Sequence, residues 1–369
     1  MAASRSGIKF GAAVLWVLCL HASCIAKDFV VGQSLDLSGL SNVGKDFSNG
    51  ARTYFDAVNA RGGVQGRKIS FVQLDDGGHA NDAKANAQKL LRENGVDVML
   101  GATNAEALGA VIGVTTTATP RVAVVGAPTG AEHGAATTGH AFATRASYRD
   151  EARALLDTLR MFHNDAIAIV QGDGPDAAAT HSAIRAEAQT RKLRIAFDGN
   201  AAQWQSRDSQ TAKIGAIILS GDALGVAALA RHTRKVLPQA WLLAFSTVDY
   251  RNLFELAGTA ASGIFISQVV PPPGKTIHAF QREHRALMKQ FRDEPPSQHT
   301  LEGYVAARVL VAAFGLVEGE PTATKIHKAL RTVPPLEFGP LRVSTAQPAA
   351  SGSTYVDVTA VSRKGVLLE

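Results

Sequence analysis

The fold prediction starts from the stretch LSGLSNVGKDFSNGARTYFDAVNARGGVQGRKISFVQLDD, residues 37–76. It follows an apolar run from Phe29 to Leu35, which is typical of a buried strand. Apolar residues then recur every three or four positions from about Asp46 to Arg61, and the glycines at 62 and 63 end this helical pattern. An alternating strand from Lys68 to Leu74 comes next. The stretch therefore predicts a β-α-β unit, the building block of a parallel sheet.

The turn between the first strand and the first helix resembles a nucleotide-binding loop in spacing. Gly39, Gly44 and Lys45 fit the pattern G-x-x-x-x-G-K-[ST], but Asp46 stands where a hydroxyl would hold magnesium. A carboxylate there would repel a triphosphate, whereas an acidic residue in the first turn of a helix is an ordinary start signal. We therefore interpret the turn as a glycine-rich loop whose N–H groups can face a smaller anion.

The same alternation continues along most of the chain and restarts near residue 140. Further strands are predicted at 96–100, 121–125, 166–170, 193–197, 214–219, 241–245 and 262–270, with helices between them. Repeated β-α units with short connections predict an α/β fold with two doubly wound parallel-sheet lobes.

Proline-rich segments at 269–275 and 332–339 interrupt this order and mark crossings between the lobes. The predicted division gives residues 27–144 and 272–332 to lobe 1, and residues 145–271 and 333–369 to lobe 2.

Residues 1–26 have the pattern of a secretory signal peptide. Arg5 and Lys9 precede the apolar run FGAAVLWVLCL at 10–20, and small residues lead to a cleavage site before Lys27. The run is too short for a transmembrane anchor, so we expect a protein exported to the periplasm. A lipid anchor at Cys24 is the less favoured alternative, because His21 stands where a lipoprotein signal has an aliphatic residue.

Composition excludes several classes of function. Both cysteines, Cys19 and Cys24, lie in the signal segment, so the exported chain has no disulfide and no cysteine metal site. The formal charge of +6 is spread along the chain, which argues against a nucleic-acid partner. The chain carries neither a G-x-S-x-G elbow nor an H-E-x-x-H helix, and its 11 histidines are scattered. We therefore expect neither an enzyme nor a metal or cofactor site.

Five segments in this order resemble the type I periplasmic solute-binding proteins, in the branch that binds branched-chain amino acids and amides. They are residues 37–76, GAPTGAEH at 126–133, RASYRDE at 145–151, SQVVPPP at 267–273 and LEGYVAARVLVAA at 301–313. The resemblance implies two α/β lobes joined by three crossover segments. It also implies a ligand enclosed between the lobes and delivered to the permease and ATPase of an ABC importer.

The resemblance also implies a ligand site at the carboxyl ends of the strands, where main-chain N–H groups and hydroxyls hold a carboxylate. The candidate ligand-binding residues follow strands of either lobe or lie at the lobe crossing: Ser38, Thr103, Asn104, Thr129, Tyr148 and Ser246. Ser38, Thr103 and Asn104 have a cap or turn role as their alternative, and Tyr148 has a buried packing role. The chain departs from the family after strand 166–170, where QGDGPDAAATH at 171–181 lacks the usual aromatic residue.

The leading functional hypothesis is a monomeric extracytoplasmic protein that captures a small carboxylate- or amino-acid-like solute by lobe closure. The alternative is a periplasmic sensing subunit that signals to a membrane receptor or kinase. Sequence favours the first, because a sensor usually carries its own membrane helix or signalling domain.

Overall fold

The first sheet forms from the early strands of the chain. The computed structural model describes residues 27–39, 41–132, 139–161, 166–206, 214–346 and 351–368. Its first sheet is parallel, in the order β2-β1-β3-β4-β5, and contains β1 (Phe29–Leu35), β2 (Ile69–Asp75), β3 (Val98–Leu100), β4 (Ala123–Val125) and β5 (Ala141–Phe142). Strands β3, β4 and β5 are buried throughout, as expected for a sheet covered by helices.

Among the described residues, six helices accompany this sheet. Three lie between its strands: α1 (Val43–Ala60), α2 (Ala80–Glu93) and α3 (Ala105–Thr117). Three more come later in the chain: α9 (Ala279–Phe291), α10 (Gln298–Phe314) and α11 (Ala323–Thr332). Helix α10 is buried along most of its length because it lies against α1 and the sheet. Late helices thus complete a lobe that early strands began.

The second sheet has the order β13-β10-β9-β8-β6-β7. Its strands are β6 (Ala166–Gln171), β7 (Arg194–Asn200), β8 (Ala216–Ser220), β9 (Trp241–Ala244), β10 (Ile264–Gln268) and the antiparallel β13 (Asp357–Ala360). Its helices are α4 (Tyr148–Met161), α5 (Ala177–Thr190), α6 (Ala201–Gln205), α7 (Ala223–Val236) and α8 (Tyr250–Ala257), the last followed by a 3₁₀ turn at Gly258–Ala261. The α/β class and the parallel sheets are confirmed.

The last part of the chain departs from the predicted division. A hairpin of β11 (Leu336–Phe338) and β12 (Leu341–Val343) was assigned to lobe 2 by the boundary at 333. Phe338, Leu341 and Val343 instead lie in the core around the first sheet, where Phe338 meets the Phe280 ring edge-on. The apolar face of the hairpin is buried there, so the third crossing follows it, between β12 and β13. The other lobe boundaries stay a prediction.

The proposed signal segment, residues 1–26, and Cys24 within it lie outside the described residues. In the part of the chain that the structure does describe, no helix combines the length and the apolar character that a membrane span requires.

Candidate functional site

Loops at the carboxyl ends of strands from both sheets meet between the lobes. From the first sheet come the loops after β1, β3 and β4, and from the second come the loops after β6 and β9. Arg251 of the second lobe reaches Asp46 in the first turn of α1, with an N–O distance of 2.9 Å. Gln298 of the first lobe donates to the Ser246 carbonyl at 3.0 Å. The two lobes therefore touch across a cleft that their strand ends line.

Cavities open on either side of the Arg251–Asp46 ion pair. One, of about 330 Å³, lies between Ser41 of the first lobe and Asp222, Thr247 and Asp249 of the second. The other, of about 590 Å³, is lined by Lys45, Gln73 and Glu294 together with the ion pair itself. The cleft thus retains space of the size that a small solute needs.

Ser38 and Thr103 hold the loop after β1. The Ser38 hydroxyl bonds to Asp75 and, with the backbone N–H groups of Leu37 and Gly77, lowers the pKa of that carboxyl. The Thr103 hydroxyl oxygen accepts a hydrogen bond from the Asp36 N–H at 2.9 Å. Ser38 is exposed and Thr103 is half-buried. In this form of the protein both hydroxyls serve the loop, and a ligand contact from either stays a prediction.

Asn104 takes the cap role that sequence analysis gave as its alternative. Its side-chain oxygen accepts from the Ala107 N–H at 2.9 Å at the start of α3, and its amide nitrogen donates to the Gly78 carbonyl at 2.9 Å. Asn104 is buried and joins the loops after β2 and β3. A ligand contact from Asn104 is likewise a prediction that these bonds do not test.

Thr129 and Tyr148, two of the six candidate residues, lie side by side in the structure. Their hydroxyl oxygens lie 3.1 Å apart, and both residues are buried. The Tyr148 N–H donates to the Gly130 carbonyl at 2.9 Å, and a Cβ at Gly130 would lie 2.8 Å from the tyrosine ring. Glycine at 130 therefore lets the ring lie directly against the turn after β4.

The Tyr148 hydroxyl also donates to Asp176, which sequence reasoning did not assign to the site. The other Asp176 oxygen accepts from the Ala105 N–H, at 2.7 Å, at the start of α3. Burial raises the pKa of Tyr148 well above its ordinary value, and the Asp176 carboxylate adds to the rise. The phenol therefore remains a neutral hydrogen-bond donor. The departure of residues 171–181 from the family pattern was the one sequence signal that pointed to this loop.

Ser246 belongs to a buried charged cluster at the lobe crossings, which we call the hinge cluster: Arg145, Glu151, Ser246, Ser267, His299 and Glu302. Arg145 donates to Glu151, to Glu302 at 3.0 Å and to the Ser246 hydroxyl at 2.6 Å. Glu151 accepts from the Ser246 N–H at 2.9 Å and from the Ser267 hydroxyl at 2.6 Å. Ser246 thus gives both its hydroxyl oxygen and its N–H to the hinge cluster, and a ligand contact from it stays a prediction.

The buried positive charge of Arg145 and the buried negative charges of Glu151 and Glu302 stabilise one another in the hinge cluster. Burial would lower the pKa of the Arg145 guanidinium, but Glu302 and Glu151 raise it above its ordinary value. The RASYRDE segment carries Arg145, Tyr148 and Glu151, and of these three residues sequence analysis named only the tyrosine as a candidate. Among the described residues no group of three or more histidine, cysteine or acidic side chains is arranged to hold a metal ion.

Comparison with known proteins gives a consistent result. A family model described as periplasmic binding protein matches residues 29–365. A substrate-binding periplasmic protein from Ralstonia solanacearum is 25% identical, with a TM-score of 0.83, and the match covers 92% of this chain and 99% of that one. No curated protein matches the chain.

Two further solved structures share the fold. A possible leucine/isoleucine/valine-binding protein from Rhodopirellula baltica is 22% identical, with a TM-score of 0.80 and coverage of 94% of this chain and 97% of that one. A branched chain amino acid ABC transporter protein from Thermus thermophilus, with bound valine, is 16% identical, with a TM-score of 0.78 and coverage of 93% and 95%.

Proposed function

Because the chain belongs to the periplasmic binding protein family, we propose that it captures a small carboxylate- or amino-acid-like solute between its lobes and delivers it to an ABC importer. It acts outside the inner membrane, as a monomer and without catalysis. The family supports solute binding directly. The ligand class, the delivery step and the partner permease and ATPase are the finer parts of the proposal.

One observation supports the proposal above the others: the strand ends of two parallel sheets face a single cleft, and side chains from both lobes meet across it. In such a fold, main-chain N–H groups and hydroxyls at the strand ends hold a ligand without a dedicated cofactor. Contacts from both lobes to one ligand favour the closed form, which is the signal that an importer can recognise.

Thr129 and Tyr148 are the residues that we propose first as ligand contacts. Their hydroxyls are adjacent and buried at the place where the first lobe meets the second. Ser38, Thr103, Asn104 and Ser246 complete the proposed site. In the structure each of these residues has a hydrogen-bond partner within the chain, so ligand binding would exchange internal hydrogen bonds for ligand bonds.

A thermal-shift screen of the secreted protein tests this proposal. The panel contains leucine, isoleucine, valine, amides, short carboxylates and aromatic acids, each at high concentration. A ligand present at 100 times its Kd stabilises the folded state by about 2.7 kcal/mol, which is readily measured. A panel in which no compound shifts the transition would contradict the proposed ligand class.

Variants then test the site. Thr129→Ala and Tyr148→Phe should each weaken binding of the compound found, by up to about tenfold, because the ligand bond lost, of roughly 1.4 kcal/mol, is partly offset by the internal bond that it replaces. Thr117→Ala is the matched control, because Thr117 is an exposed residue whose hydroxyl bonds only within its own helix. Unchanged affinity in both site variants would mean that the ligand binds elsewhere in the cleft.

A further inference from the structure

Asp176 lies where a helix-capping residue belongs, yet it does not cap its own helix. It immediately precedes α5, a position at which an aspartate usually accepts from the first N–H groups of the helix it begins. Its side chain makes no such bond. The carboxylate instead accepts from the Ala105 N–H of the other lobe at 2.7 Å and from the Tyr148 hydroxyl of its own lobe. Asp176 is only 8% exposed.

The two donors that hold Asp176 suit any carboxylate. The Ala105 N–H is the first of α3, so it has no partner within the helix and lies at the positive end of the helix dipole. The Tyr148 hydroxyl is positioned by its contact with Thr129 at 3.1 Å. Within the described ranges no lysine, arginine or histidine forms a salt bridge with Asp176, so neutral donors alone satisfy this buried charge.

We propose that Asp176 occupies the position of the ligand's carboxylate, so that a bound ligand displaces it from the Ala105 N–H and the Tyr148 hydroxyl. The inference rests on the proposed function and deepens it. The cleft favours solutes that carry a carboxylate, because a carboxylate has the same two acceptor oxygens and the same charge as the Asp176 side chain that it replaces. Asp176 thereby sets the ligand affinity, since every carboxylate solute competes with a tethered one.

This competition has a measurable size. When only a fraction of the molecules is open to ligand, the apparent Kd is the intrinsic Kd divided by that fraction. If the chain's own carboxylate fills the position in about nine molecules of ten, removing it tightens carboxylate binding by about tenfold. Removal also deletes a contact that joins the lobes, so the ligand-free protein should be more open.

Formate rescue tests the inference without knowledge of the natural ligand. In Asp176→Ala the two donors lose their acceptor, and formate is small enough to take its place. We expect formate to raise the melting temperature of this variant in a concentration-dependent way, while formamide at the same concentration does not. Small-angle scattering should show a larger radius of gyration for the variant than for the wild type, and formate should reduce it.

The controls isolate the position of the charge. Asp173→Ala removes an exposed carboxylate from the same loop, and it should behave as the wild type with either additive. Asp176→Asn keeps the shape and one acceptor, so it should show a smaller expansion and serves if the alanine variant folds poorly. Adding Tyr148→Phe to Asp176→Ala should abolish most of the formate response. Equal responses to formate in the wild type, Asp173→Ala and Asp176→Ala would overturn the inference, as would an unchanged radius of gyration.

Failure of this inference is distinguishable from failure of the proposed function. If the wild type binds a carboxylate from the thermal-shift panel and Asp176→Ala binds it no more tightly, the competition is refuted while the binding function stands. If formate rescues the variant but no panel compound binds the wild type, the position accepts carboxylates and the proposed solute class is refuted.

Discussion

His284 is a buried imidazole in the first lobe. It lies in α9 with no exposed surface, and its ring is 5.2 Å from that of Tyr304 on α10. Burial lowers the pKa of His284 to about 4, against a smaller opposing effect of the Thr300 backbone. The folded protein therefore keeps this ring neutral at pH values where an unfolded chain, with a pKa near 6.5, takes up a proton.

This difference predicts a specific acid sensitivity. Because the unfolded state binds the proton first, stability falls as the pH drops from about 6.5 to about 4, and the effect is absent above that window. A shift of this size corresponds to about 3 kcal/mol. His284→Phe should reduce the loss of unfolding free energy between pH 7 and pH 4 by roughly that amount, as measured by urea unfolding at each pH. His79→Gln, which removes an exposed imidazole, should leave the loss unchanged.

Single residues of the site were only partly predictable. Thr129 and Tyr148 were named from their segments, and the structure places their hydroxyl oxygens 3.1 Å apart, while a ligand contact from either stays a prediction. Asp176 was not predictable as a cleft residue, because an aspartate before a helix is normally a cap. Its real partner, Ala105, is 71 positions away and offers only a backbone N–H. No side-chain pattern records such a bond.

The contact between α1 and α10 depends on two glycines. A Cβ at Gly50 would lie 1.8 Å from the Thr300 carbonyl oxygen, and a Cβ at Gly303 would lie 1.9 Å from that of Phe47. Both glycines are buried, and each lets its helix approach the backbone of the other. This close approach brings Glu302 and His299, on the same helix, to the lobe crossings.

Glycine-to-alanine changes should therefore act oppositely in two helices. Gly303→Ala forces the helices apart, and we expect a loss near the upper end of the roughly 1–3 kcal/mol that overpacking costs. Gly113→Ala is the matched control, because nothing lies within 4 Å of its added Cβ in α3. There the better helix propensity of alanine should stabilise the protein by about 0.5–1 kcal/mol. Urea unfolding measures the free energy of unfolding of both variants. A Gly303→Ala protein more stable than the wild type would contradict the prediction, because the interface between α1 and α10 would then accommodate the added methyl group.

At the scale of elements, periodicity predicted where strands lie better than it predicted their first and last residues. The strands expected at 96–100 and 262–270 are shorter in the structure, where they span Val98–Leu100 and Ile264–Gln268. The two-residue strand β5 is too short for any alternation to reveal. The first strand of the β11–β12 hairpin lies within the proline-rich segment 332–339, and the burial of the hairpin against the first lobe depends on contacts with distant helices.

At the scale of the whole molecule, the regular β-α alternation made two lobes predictable, while the means of their connection was not. Arg145 lies in the first crossing and bonds to Glu302 of the first lobe and Glu151 of the second. Its carbonyl accepts from the Gly352 N–H of the third crossing at 3.0 Å, and Ser267, just before the second crossing, donates to Glu151 at 2.6 Å. The hinge cluster therefore joins all three crossings, and we expect it to couple the unfolding of the two lobes.

Arg145→Met tests that coupling, since it leaves Glu151 and Glu302 buried without their cation, a change that typically costs about 3–5 kcal/mol. From residue 27 onward the chain has tryptophan only at 204 and 241, both beside the second sheet, so fluorescence reports on that lobe while circular dichroism reports on both. The wild type should show coincident urea transitions by the two probes, whereas Arg145→Met should show two separate transitions.

Arg153→Met is the matched control. It removes an ion pair whose arginine is 50% exposed, so it should change the free energy of unfolding by less than about 1 kcal/mol, with the two transitions still coincident. Coincident transitions in Arg145→Met would mean that the lobes are coupled through the cleft contacts, Arg251–Asp46 and Asp176–Ala105, and not through the hinge cluster.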